Sequence, residues 1–123
     1  MTARPRLLAT GFGAFPGAPE NPTGMFVNED RMVKVARLKG VDLITQVLPV
    51  EYALLDVWQE ALDIVRPDAI LHFGLAARAE TIRVETTAHN NAAPYRRDAA
   101  DDLPLRILDA EGPSIRRVNL PVD

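Results

Sequence analysis

The chain has 123 residues, 47% of them hydrophobic and 25% charged, which describes one globular domain able to bury a core and with little length for a second. Its 14 Lys and Arg against 17 Asp and Glu give a formal charge of −3 and a pI near 5.3, without the basic footprint of a nucleic-acid binder. There is no cysteine, which excludes disulfides, thiolate metal sites and a cysteine nucleophile within these residues.

No apolar run approaches the roughly 18 residues of a membrane span. The start combines basic residues with an apolar stretch, as a secretory signal does. Gly11, Gly13, Pro16 and Gly17 interrupt that stretch and no small-x-small cleavage site follows. A cytoplasmic chain with no membrane partner is expected.

The elements alternate. Residues 7–10 form a short apolar run stopped by Gly11, a first buried strand. A glycine-rich loop, GFGAFPGAPENPT, follows, and Asn21-Pro22 reads as a helix start, with Asn21 as cap and Pro22 in the first turn. Met25, Met32 and Ala36 fall at helical spacing over residues 25–38, and Gly40 closes that helix. Residues 43–48 are a second strand, ended by Pro49. Leu54, Trp58, Ala61 and Val65, with Leu55 and Leu62 beside them, mark the clearest helix, ended by Pro67-Asp68. Residues 69–73 are the third strand, stopped by Gly74.

Two strand–helix–strand units in succession predict a three-layer α/β/α domain with a mainly parallel sheet and right-handed crossovers. Ligands of such sheets bind at the carboxyl ends of the strands. That rim would carry the loops after Thr10 and after Phe73. Residues 81–90 alternate and are β-branched, a strand that would put Glu85, Thr87 and His89 on one face. Residues 91–103 read as a loop, and 105–108 and 118–120 as short strand pieces. The strand-like LPV ending has no covering helix, so self-association or a companion chain over an exposed sheet edge is expected.

The glycine-rich loop is no dinucleotide cradle: its glycines are spaced GxGxxxG, Pro16 stands where the phosphate-binding helix should begin, and no P-loop lysine follows. Phe12 and Phe15 either cover the sheet end or form an apolar slot for a small planar ligand. Glu85 lies on a solvent-facing strand side or, if buried, requires a partner. His72, between Leu71 and Phe73, reads as a hydrogen-bonded core histidine. Glu85 and His89 could supply two ligands of a hydrolytic metal, although no cofactor or metal is expected. Arg96-Arg97 and Arg116-Arg117 read as solvated charges.

Two segments together carry a resemblance. ATGFGAFPGAPENPT resembles the opening TGF-x-PFGG-x-x-x-NPS of the pyroglutamyl peptidases, also called pyrrolidone-carboxylate peptidases, a family of cysteine peptidases. GLAARAETIRVETTAHN resembles the family's glutamate-containing signature, with Gly74, Ala77, Ile82, Glu85, Ala88 and Asn90 in register. The order and separation of the segments fit, and the resemblance continues through EGP and LPV across essentially all of 1–123, as the N-terminal part of a single such domain.

The resemblance implies removal of N-terminal pyroglutamate from blocked peptides by a Cys/His/Glu mechanism. It implies that Glu85 is the catalytic glutamate that orients the histidine. It also implies that Phe12 and Phe15 enclose the pyrrolidone ring and that Asn21 belongs to the substrate site. Departures fall at Ala14, Pro16, Arg83, Thr86 and Thr87, at Leu75 where many members carry glutamine, and at Arg78, one position before the usual arginine. The family's cysteine and histidine follow the region covered here, so a truncated fold, inactive as this chain, is expected. The alternative is a non-catalytic binding module that keeps the ring slot.

Overall fold

The computed structural model describes residues 3–121. Its centre is a parallel three-stranded sheet in the order β2-β1-β3, from β1 (Arg6–Phe12), β2 (Asp42–Leu48) and β3 (Ala69–His72). Leu7 faces Leu43 on one side and Ala69 on the other, and Thr10 faces Gln46 and His72. β1 is thus paired on both edges, and its Leu8, Ala9, Thr10 and Gly11 are fully buried. Short apolar strands with both faces covered are the expected content of a parallel sheet.

Topology explains where the helices lie. The chain steps from β1 to one neighbour, then crosses back over β1 to the other, and two crossovers of the same hand put their helices on opposite faces. α1 (Pro22–Val27) and α2 (Asp30–Leu38) make the first crossover and α3 (Leu54–Val65) the second. The two faces are visible in neighbouring residues of β3 and its extension. Phe73 meets Phe26 of α1 edge-on with ring centroids 5.1 Å apart, whereas His72 meets Trp58 of α3 at 5.5 Å. The expected three layers and parallel sheet are present.

α3 matches its sequence pattern closely. Leu54, Trp58, Ala61, Leu62 and Val65 are the half-buried stripe, and Leu55 and Ile64 look outward. Arg66 ends the helix in the left-handed region, its N–H donating to the Leu62 carbonyl at 2.7 Å, before Pro67 prevents continuation. The helix expected over residues 25–38 is instead two. Asn28 turns its N–H back to the Phe26 carbonyl, and Glu29 is extended before α2 begins. The break lets α1 sit against β1 while α2 runs along β2.

Further on, the expected strand over 81–90 contracts to β4 (Thr87–His89), paired antiparallel with β5 (Ile115–Arg117). A β-branched run becomes strand only where a partner reaches it, and residues 82–86 have none in a ladder. The strand piece expected at 118–120 lies three residues earlier as β5, and 105–108 forms no strand, although the Ala92 N–H donates to the Arg106 carbonyl. Of the strand-like ending, Pro121 is irregular and residues 122–123 lie outside the described residues.

Backbone meets backbone where α1 crosses the end of β1. A Cβ on Gly11 would overlap the Thr23 carbonyl and come within 2.8 Å of the Gly24 nitrogen, and one on Gly24 would stand 2.7 Å from the Phe12 carbonyl oxygen. Neither obstacle is a flexible side chain. Gly11→Ala should therefore cost about 1–3 kcal/mol by overpacking, read as a lower midpoint in urea unfolding. An unchanged midpoint would show that the two elements separate freely.

Candidate active site

The rim at the carboxyl ends of β1 and β3 is assembled from the loop 13–21, the segment after β3 and a distant stretch at 96–102. The first loop is built around Asn21. This residue caps α1 and is buried, accepting from the Thr23 N–H at 3.1 Å and from the Thr23 hydroxyl at 2.7 Å. Its amide nitrogen donates to the Gly13 carbonyl at 3.0 Å, and the Thr23 hydroxyl oxygen accepts from the Phe12 N–H at 2.9 Å. Asn21 thereby joins the end of β1 to the start of α1 in one closed network, as burial of polar atoms requires.

Between these anchors the loop folds back. Phe15 and Ala18 exchange two backbone hydrogen bonds of 2.8 and 3.1 Å, and Gly17 takes the turn with φ of 93°. Phe12 and Phe15 are each half-buried, one at the strand end and one on the returning loop. Both aromatics therefore stand on rigid backbone at the rim. Two shallow concavities of about 660 and 270 Å³ lie at the opposite rim, beside Arg66 and Asp68 in one case and Arg6 and Asp42 in the other. Neither is lined by Phe12, Phe15, Asn21 or Glu85.

Glu85 is exposed and lies two residues before β4, off the ladder on which the sequence pattern had put it with Thr87 and His89. Among the described residues no three His, Asp or Glu side chains gather in a way that could hold a metal ion.

Two features of the rim, the Thr10 partner of His72 and an anchor at Asp98, were not singled out from the sequence; His72 itself has the hydrogen bond expected of it but is exposed at the end of β3 rather than in the core. The Thr10 hydroxyl and His72 Nδ1 lie 2.6 Å apart, bonded across the β1–β3 register. Partial desolvation lowers the His72 pKa below its ordinary value, which favours the neutral imidazole although the residue is still partly open to solvent. The unfolded chain takes up that proton first, and stability falls as pH drops from the ordinary histidine range toward the lowered value. The signal for this pair was the matching place of Thr10 and His72 near the ends of adjacent strands.

The second feature is Asp98. Its buried carboxylate accepts from the Tyr52 N–H at 2.7 Å and from the Ala100 and Asp102 N–H groups at 2.9 Å each. Desolvation raises its pKa, but the backbone donors outweigh that and hold the group below the usual carboxylate range. The Ala99 N–H also donates to the Val50 carbonyl, and the Tyr52 hydroxyl to the Arg96 carbonyl. The stretch 96–102 is therefore tied to the loop following β2. Asp98 is of a turn-forming residue type whose side chain can accept from the backbone two residues on, the one trace of this anchor in the sequence.

A parallel α/β core with an aromatic loop at the carboxyl end of its central strand defines a class of folds that bind their ligands at one rim. No family model matches the sequence. The pyrrolidone-carboxylate peptidase of Clavibacter michiganensis is 38% identical over 88 residues, 70% of this chain and 39% of that protein. The enzyme of the same name from Pyrococcus furiosus is 29% identical over 111 residues, 89% of this chain and 47% of that one. The crystal structure of Bacillus amyloliquefaciens pyroglutamyl peptidase I superposes with a TM-score of 0.79 and 26% identity, covering 95% of this chain and 56% of the other. The chain is pyroglutamyl-peptidase-like (pyrrolidone-carboxylate-peptidase-like) in sequence and fold, and it spans about half the length of these relatives or less.

The Asp98 anchor has a measurable signature. Its contribution is present above the carboxylate range of the unfolded chain and is lost as pH falls through the depressed value. Asp98→Ala should lower amide protection at Tyr52, Ala100 and Asp102 at neutral pH. Wild type should lose the same protection only in acid, after correction for intrinsic exchange rates. Equal protection in both proteins would show that the carboxylate does not hold the loop.

Proposed function

We propose that this chain carries the ring-binding slot and the glutamate of a peptidase acting on N-terminally pyroglutamylated peptides, and that the 123-residue chain does not itself cleave them. The observation that carries the reading is the family's two motifs, in order, on loops following adjacent parallel strands. Phe12 and Phe15 offer apolar faces to a planar lactam ring. Asn21, with its oxygen and nitrogen bonded internally, acts by fixing the loop that bears them. Glu85 supports the catalytic histidine of the assembled site, for which a solvent-facing carboxylate off the ladder is free to reorient.

The chemistry is attack of a thiolate on the amide carbonyl, release of the peptide amine and hydrolysis of the resulting acyl-enzyme. No cysteine is available here to begin it. The site works in the cytoplasm in this reading, and no helix among the described residues is long and apolar enough to cross a membrane. Relatives that are named as peptidases give no preference to a separate, non-catalytic binding module.

The purified chain should show no turnover of a chromogenic pyroglutamyl anilide. It should still bind 2-pyrrolidone saturably, with shifts in the Phe12 and Phe15 ring signals by NMR. Phe12→Ala or Phe15→Ala should weaken that binding about tenfold, corresponding to roughly 1.4 kcal/mol. Turnover by the isolated chain, or binding indifferent to both substitutions, contradicts the reading.

A further inference from the structure

The segments that follow β1 and β3 are short of polar side chains. Residues 13–18 read GAFPGA and residues 73–77 read FGLAA. Asn21 and Thr23 nearby are bonded to each other and to the backbone. A lactam held by Phe12 and Phe15 would have its faces matched, but its carbonyl oxygen needs a donor, since a buried amide without one loses affinity. His72 is placed to supply it. Strand alternation puts Thr10 and Phe12 on one face of β1, opposite Gly11, which abuts α1. His72 shares the face of Thr10, as its register partner, and its ring lies against Trp58 of α3. Phe12 stands two residues beyond Thr10, so its Cα lies about 8 Å diagonally from that of His72 at ordinary strand spacing and rise. A five-membered ring resting on Phe12 is within reach of the imidazole.

The Thr10 hydroxyl decides which ring nitrogen carries the proton. That group is fully buried, and His72 Nδ1, 2.6 Å away, is its side-chain partner among the described residues. A buried hydroxyl proton is costly to leave unpaired, so the hydroxyl donates and Nδ1 accepts. In the neutral imidazole, which partial desolvation favours, the ring proton then sits on Nε2. Nε2 makes no hydrogen bond among the described residues. Thr10 at one edge and Trp58 against the face, with centroids 5.5 Å apart, hold the ring before any ligand arrives.

We propose that the Nε2–H of His72 donates to the lactam carbonyl oxygen of the bound ring, so that His72 selects a cyclic amide over a ring that is only flat and apolar. Thr10 is the positioning residue that sets its tautomer. The inference rests on the ring slot of Phe12 and Phe15 and adds a polar criterion that neither phenyl group can impose.

The test is an NMR titration of the 123-residue chain with three rings: 2-pyrrolidone and cyclopentanone, which carry the carbonyl, and pyrrole, which does not. His72→Asn keeps an acceptor where Nδ1 stood, so Thr10 stays paired, and removes the outward donor. It should weaken both carbonyl rings about tenfold, the order of one neutral hydrogen bond, and leave pyrrole unchanged. In the wild-type chain at neutral pH, the imidazole nitrogen shifts should place the proton on Nε2, and Thr10→Val should return the ring to a mixture of tautomers. The wild-type tautomer is read without any variant, so it decides even where a substituted chain does not fold. A proton on Nδ1, a tautomer indifferent to Thr10→Val, or carbonyl-ring binding equal in wild type and His72→Asn would each overturn the inference. Where Phe12→Ala still weakens that binding, the ring slot stands and only the role of His72 falls. Wild type that binds none of the three rings would overturn both.

Discussion

Two pieces of backbone approach each other too closely to admit a side chain between them. At the end of β1 the chain passes under the first turn of α1 at Gly11 and Gly24, with no room for a side chain at either. The loop 13–21 at the carboxyl rim takes its position from that contact. It places Thr23 where its hydroxyl can accept from the Phe12 N–H, and it places Asn21 within reach of Gly13. The aromatic pair then sits on a loop whose two ends are the same rigid junction. Without this contact α1 would stand away from β1, and the hydrogen bonds of Asn21 could not close.

The rim is also where buried polar atoms are concentrated, and each is matched by a donor or acceptor within the chain. Thr10 meets His72 across two strands, Asn21 meets Thr23, and Asp98 meets three backbone N–H groups. These bonds are internal and complete: no buried side-chain nitrogen or oxygen is left without a partner among the described residues. The rim is therefore firm on the β1–β2 side, where 96–102 is tied down, and open along β3.

Much of the core was legible because it depends on local periodicity. The inward stripe of α3 and the three short apolar runs are set by side-chain type, and the glycines and prolines bounding them act within a few residues. The break at Asn28-Glu29 was not legible, since either residue can continue a helix and the reason to stop lies in β1 and β2. Residues 82–86 misled in the opposite way. Their β-branched content signals a strand, but strand formation needs a partner edge, and Glu85 is consequently solvent-facing off the ladder. Asp98 was hidden inside a stretch that reads as a polar loop, because its value lies in Tyr52, 46 positions away. The candidate site itself was recognised by the order of its motifs rather than by the geometry of any one residue.

The order β2-β1-β3 carries a consequence for how this chain folds. The central strand is made first, and Thr10 meets His72 only after 62 further positions have been synthesised. Parallel pairings at that separation must close long loops before any contact rewards them, which slows folding relative to a helical bundle or a hairpin. During that interval the strand that ends up most buried waits with one or both edges bare. A nascent chain of this design depends on its first crossover, through α1 and α2, to shelter β1 early. The glycines that allow α1 to settle directly onto the strand thus shape the time course of folding as well as its end point.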